Sequence, residues 1–215
     1  MVTTTPLMQR LGLGALNTLA LLVAAYAVLA YALLPPGAEV APEMQAVYRA
    51  HPVLIYGHVF AAALALALGP FQFSTRLRRA RPQLHRWIGR SYLGVGVLVG
   101  GVFGLLLSRY AHGGAVSQIG FALLAVAWLY TGLRGWLAIR GGDVASHRQW
   151  MLRNQALTLA AVSLRIYVGV VVAAHWPFEP AYVAIAWLCW VPNLLLAEWW
   201  LRSAGGRAWV STMGR

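Results

Sequence analysis

Six long apolar runs, separated by short polar gaps, constrain this chain more than any other feature. They cover roughly residues 11–34, 53–74, 86–109, 117–139, 148–174 and 181–201. Each is close to the ~20 residues that carry a helix across ~30 Å of hydrocarbon. In hydrocarbon every backbone N–H and C=O must be satisfied within the structure, which leaves only helices or the strands of a closed barrel. A barrel needs shorter segments of alternating polarity, and the sequence lacks them. The chain is expected to be all-α and integral to a membrane, with six transmembrane helices in a single domain over residues 1–215. Composition agrees: 60% of the residues are hydrophobic and 10% are charged. An average soluble domain carries roughly 25% charge. The first run follows Arg10 and exceeds the ~7–15 residues of a signal-peptide core, so it is expected to stay as helix 1.

The formal charge is +12, and all 17 basic residues are Arg. In a soluble protein that balance would suggest nucleic acid. Here the Arg residues sit in the gaps, where membrane topology explains them, so no nucleic-acid partner is expected. The gap after helix 2 holds Arg76, Arg78, Arg79, Arg81, Arg86 and Arg90. The gap after helix 4 holds Arg134, Arg140, Arg148 and Arg153, and the tail holds Arg202, Arg207 and Arg215. The other three gaps are poor in Arg and contain Glu39, Glu43 and Glu179. The positive-inside rule places both termini in the cytoplasm. Tyr92, Tyr110, Trp150, Trp176, Trp199 and Trp200 stand near the expected helix ends, as interfacial aromatic belts do. The lone Cys189 permits no disulfide within the chain.

Two segments look alike. Leu84-His-Arg-Trp87 and Ser146-His-Arg-Gln-Trp150 both stand at Arg-rich helix starts, with His85 and His147 offset by 62 residues. Helices 2–3 and 4–5 read as two copies of one hairpin, which would make helices 2–5 a four-helix core with an internal duplication. Gly96, Gly100 and Gly104 repeat a small-xxx-small spacing, which serves either helix packing or a close cofactor contact.

Four side-chain positions carry possible chemistry. In a bundle of helices 2–5, helices 3 and 5 are diagonal, so His85 and His147 lie at equal depth across the core. Two neutral imidazoles in that arrangement can grip a haem, with Arg86 and Arg148 on its propionates. Ser146 as a helix N-cap would help keep His147 neutral. Interfacial anchoring explains the same His-Arg-x-Trp pattern. His58 lies inside helix 2, and an ionisable residue within a span is a functional candidate or an interhelical hydrogen-bonder. Arg165 is buried deep in the helix 5 run, roughly 13 Å of helical rise from the nearer end. A central Arg costs at least ~3 kcal/mol on insertion scales, so it needs an anionic or carbonyl partner. That partner is either a bound headgroup or helix carbonyls, because no acid is expected at its depth. Gln72, Asn154, Gln155, Asn193 and Glu198 complete the polar set, while Pro70 and Pro192 are expected to bend helices 2 and 6.

The string His58-x10-Gly69-Pro-Phe-Gln-Phe73, followed by Leu84-His-Arg-Trp-Ile-Gly-Arg90, resembles a bacterial family of six-helix membrane proteins known only as a domain of unknown function. His147-Arg-x-Trp-Met151, Leu164-Arg165 and Trp190-x2-Asn193-x4-Glu198 look like the same family. The resemblance covers roughly residues 50–200, implies a bacterial inner membrane, and brings no biochemical role. A second resemblance, architectural, is to the diheme transmembrane cytochromes of the ascorbate-reducible b type. It implies one haem between His85 and His147 and a second between His58 and His112. Here His112 stands just before its helix, which departs from that pattern.

These readings lead to the expectation of a membrane b-type-cytochrome-like protein that binds haem b and moves electrons, as a transmembrane oxidoreductase with a quinone or other redox partner. The alternative is a cofactor-free membrane protein: a small transporter, a lipid-binding protein or an accessory subunit, with Arg165 binding an anionic group. A lipid-active enzyme ranks last, since no paired carboxylates, nucleophile elbow, HExxH or P-loop is present. Membrane lipids are partners in every case.

Overall fold

The computed structural model describes residues 7–38 and 40–211; Glu39 and Arg215 of the charge pattern lie outside them. Among the described residues six helices are long and apolar enough to cross a membrane. They are helix 1 (Gly14–Leu33), helix 2 (Pro52–Gln72), helix 3 (Pro82–Ser108), helix 4 (Gly114–Arg140), helix 5 (Val144–Ala173) and helix 6 (Phe178–Arg202). No strand occurs among those residues. The architecture is the all-α integral membrane class expected from the apolar runs. Short helices over Pro42–Ala50 and Thr75–Ala80 lie in the first and second connections.

Local signals set the helix starts. Proline occupies the first turn of Pro42–Ala50, of helix 2 and of helix 3, where its missing N–H costs nothing. Helix 3 therefore starts at Pro82, and His85, Arg86 and Arg90 lie within it rather than in a gap. Tyr92 moves inward with that earlier start. It is fully buried instead of interfacial. Helix 5 is capped by Asp143, whose carboxylate accepts from the Ser146 N–H at 2.9 Å. Ser146 is thus a helix residue and not the cap, because an ionised carboxylate is the better acceptor for the exposed donors.

Helices 2, 3, 4 and 5 form a ring in which each packs on the next and helix 5 returns to helix 2. Helix 1 covers helix 2 and the second half of helix 5; helix 6 covers helices 4 and 5. The Gly96-to-Gly100 spacing is the seam between helices 2 and 3. A Cβ on Gly96 would lie 2.7 Å from the Ala65 Cβ, and one on Gly100 would lie 3.2 Å from the Ala62 nitrogen. Small residues let these backbones approach closely. Helix 3 is π-helical over Tyr92–Val99.

A dry polar network holds the centre of the ring. The Tyr92 hydroxyl donates to Asn154 Oδ1 at 2.7 Å and lies 2.8 Å from Thr158 Oγ1. Trp128 Nε1 donates to Thr158 at 2.9 Å. The Asn154 amide donates to the Trp128 carbonyl at 2.8 Å and to Thr131 at 2.9 Å. Tyr92 and Asn154 are 62 residues apart, the separation that also relates the starts of helices 2 and 4 and of helices 3 and 5.

Two helices are interrupted. Helix 5 breaks at Leu159, just after Thr158, whose hydroxyl bonds back to the Asn154 carbonyl at 2.9 Å. Such back-bonding bends helices. Helix 6 breaks at Cys189 and Trp190, because Pro192 has no N–H for the Leu188 carbonyl and its ring clashes there. Asn193 joins the two breaks. Its amide donates to the carbonyls of Cys189 at 3.1 Å and Ala156 at 3.3 Å, one from each broken helix. Below the breaks, Arg153 of helix 5 makes a two-pronged ion pair with Glu198 of helix 6, with the second bond at 3.0 Å.

Candidate functional site

The ring has two chemically distinct ends. One end carries the Arg-rich connections between helices 2 and 3 and between helices 4 and 5. The far end carries the connections between helices 1 and 2, 3 and 4, and 5 and 6.

A cavity of about 250 Å³ opens inside the far half. Alanines of helices 1 and 2 and the glycines of helix 3 supply an apolar wall, including Ala24, Ala27, Ala62, Gly100 and Gly104. Small side chains at these positions leave the space that larger ones would fill. Met44 and Tyr48 of the Pro42–Ala50 helix close it from the far end. Its polar lining comes from His58, Arg165, Thr158, Ser108 and the phenols of Tyr31, Tyr48, Tyr110 and Tyr182. No Asp or Glu lines it among the described residues. Burial pushes the Tyr48 phenol up to about 12, so it stays a neutral donor.

The structure brings His58 and Arg165 into this one cavity. His58 Nδ1 lies 2.8 Å from the Gly100 carbonyl. Arg165 Nη1 donates to the Ala161 carbonyl one turn earlier, at 3.0 Å. That bond occupies one of the five guanidinium donors. Arg165 also acts through space on both His58 and Tyr48. The arrangement is a cation and an imidazole lining one chamber, with no acid on its wall among the described residues.

His85 and His147 both stand at the Arg-rich end. His147 Nδ1 lies 2.8 Å from the Gly135 carbonyl. His85 Nδ1 is buried without a hydrogen-bond partner, and His147, Arg78 and Arg86 act on the ring through space. Arg86 is exposed, whereas Arg148 is only 9% exposed and faces Arg78 electrostatically. His112 sits in the turn before helix 4, its ring 6.0 Å from Phe178 and 6.1 Å from Tyr182. It borders a second hollow with Glu43 and does not line the His58 cavity. Among the described residues no group of three or more His, Cys, Asp or Glu could hold a metal ion.

Sequence reasoning named Asn154 but missed its partners Tyr92, Thr131 and Thr158, because hydrogen bonds across a ring leave no local pattern. It placed Tyr110 at an interface and did not single out Tyr31, Tyr48 or Tyr182, which line the cavity with it. The far-end helix Pro42–Ala50 falls in the first gap and was not read as an element.

A family model described as "Predicted membrane protein (DUF2306)" matches residues 55–201. That range runs from the start of helix 2 to the end of helix 6 and includes every residue of the polar network. No curated protein and no solved structure matches the chain.

Proposed function

The chain belongs to the family of predicted membrane proteins designated DUF2306, and from that premise we propose that it is a cofactor-free membrane protein that binds an amphiphile through an anionic oxygen. The observation that carries this reading is the joint placement of Arg165 and His58 in one carboxylate-free apolar cavity. A guanidinium in a low-dielectric site attracts an anion far more strongly than one in water. The chamber suits a lipid-like molecule, with acyl carbon against alanine and glycine and charge against Arg165. Lipid binding, alone or as part of small-molecule transport or of an accessory subunit, follows from the same geometry. In the bacterial inner membrane the Arg-rich end then faces the cytoplasm, and the cavity lies in the outer half.

The test is native mass spectrometry of the protein released from mild detergent, beside Arg165→Gln. Wild type is expected to retain an anionic amphiphile, and the variant to lose most of it. Equal retention by the two would overturn the reading.

Haem b is the second reading, favoured by the donor chemistry of His85 and His147. The Gly135 carbonyl accepts a hydrogen bond from His147 Nδ1–H, which leaves Nε2 as a lone-pair donor, the arrangement iron-bound imidazoles use. Arg86 and Arg148 would meet the propionates. Bound there, haem would supply one-electron chemistry toward a quinone or another redox partner. Against it, the Tyr92 to Asn154 bond already joins helices 3 and 5 two turns deeper. A Soret band that sharpens on reduction and vanishes in His85→Ala and His147→Ala is the result this reading expects. Protein that stays colourless when purified from haem-replete cells excludes it.

A further inference from the structure

We infer that the ligand of the far-end cavity is an anionic phosphodiester lipid whose headgroup carries a free hydroxyl, with Arg165 on the phosphate and His58 Nε2 accepting from the hydroxyl. This rests on the cavity reading above and adds the headgroup class to it.

The argument starts from the Gly100 carbonyl. A carbonyl oxygen only accepts, so His58 Nδ1, 2.8 Å away, carries the ring proton. A neutral imidazole has one N–H, which leaves Nε2 as an acceptor. Backbone geometry admits this contact because residue 104 is glycine: a Cβ there would lie 2.8 Å from Nδ1. The ring is thus fixed against helix 3 by one nitrogen, and the cavity it lines has only the other nitrogen to use.

Most of the remaining polar lining donates. Arg165 has no acceptor, and each lining phenol has one proton to donate besides its accepting oxygen. A ligand made only of acceptors satisfies Arg165 and offers no donor to Nε2. An unpaired buried polar group weakens binding by roughly tenfold or more. A headgroup ammonium supplies a donor, but brings a cation beside Arg165 where no carboxylate lines the wall. A fatty acid lacks the hydroxyl altogether. A glycerol-type headgroup on a phosphodiester meets both requirements at once.

The experiment compares phosphatidylglycerol with phosphatidylmethanol, which has the same charge and no headgroup hydroxyl. Both are titrated, along with phosphatidylethanolamine, into the full-length protein in phosphatidylcholine nanodiscs and read by native mass spectrometry. Wild type is expected to prefer phosphatidylglycerol over phosphatidylmethanol by roughly five- to tenfold, the value of one hydrogen bond. His58→Asn keeps an amide near the Nδ1 position but removes the far acceptor, so the preference should fall toward one. Arg165→Gln should weaken both lipids alike. Equal binding of the two anionic lipids by wild type, with Arg165→Gln weakening both, overturns the hydroxyl inference and leaves the cavity reading standing. No effect of Arg165→Gln on either lipid overturns both. A readout independent of any variant is the His58 tautomer from long-range 15N–1H couplings in wild type: Nδ1–H is expected, and Nε2–H overturns the assignment.

Discussion

Gly104 makes room for the His58 imidazole: a Cβ there would lie 2.8 Å from Nδ1. Gly104→Ala is therefore expected to displace His58 from the Gly100 carbonyl and to reduce anionic-lipid binding several-fold. The check is lipid titration beside a thermal-melt control. In the sequence Gly104 is one more glycine in a small-residue spacing. His58 and Arg165 were conspicuous there, since an ionisable side chain stands out in an apolar run. Their common cavity was not, because it depends on how alanines and glycines from three helices line up. Asn154 is the other residue whose role needs three dimensions. Asn154→Ala removes three buried hydrogen bonds, the one from Tyr92 and those to the Trp128 carbonyl and Thr131, each worth about 0.5–1.5 kcal/mol. A drop of about 2–3 kcal/mol in unfolding free energy in detergent is expected; no change in the denaturation midpoint would remove the network from any structural account.

Between elements, the seam of helices 2 and 3 offers an internal control. Gly96→Ala places a methyl 2.7 Å from the Ala65 Cβ, whereas Gly94 has nothing within 4 Å of its Cβ position. Overpacking of this kind costs roughly 1–3 kcal/mol. Gly96→Ala should lower the melting temperature and Gly94→Ala should leave it close to wild type. The Asp143 cap adds a pH signature. Hydrogen bonds from Ser146 hold its carboxyl below the usual carboxylate range. A depressed folded-state value stabilises above the unfolded-state value and is lost as pH falls through the folded one. The melting-temperature gap between wild type and Asp143→Ala should hold at neutral pH and close in acid. The start of helix 3 at Pro82 was set four residues too late, because its first turn is polar and hydropathy does not show it, while the helix 6 break was readable from Pro192. The helix 5 break was not, because Thr158 has no partner in the sequence to show why its hydroxyl turns back.

At the scale of the molecule, the six spans follow from hydropathy, and their existence needed no tertiary information. Orientation rests on the distribution of Arg alone, so it calls for a direct measurement. In a Cys189→Ala background, Ala38→Cys at the far end should react with an impermeant maleimide on intact cells. Ala145→Cys at the Arg-rich end should react only after lysis. The reverse pattern would turn the protein over in the membrane. The ring order of helices 2–5 was inferred from the paired His-Arg motifs, and what those motifs could not convey was that the ring is filled in one half and hollow in the other.

The two interrupted helices give that hollow half a mechanical character. Bending is cheapest where a hydrogen-bond ladder is already open. Helices 5 and 6 are both open at one level, and Asn193 pins them together there. Beneath the pin, the Arg153–Glu198 pair stiffens them into one block. Beyond it, residues 160–173 and 178–188 pack on each other, and 178–188 also packs on helix 4. Arg165 and Tyr182 stand beyond the breaks, while His58 stands on helix 2. A bend at the level of the breaks would therefore be felt in the cavity, as a change in the gap between the cation and the imidazole.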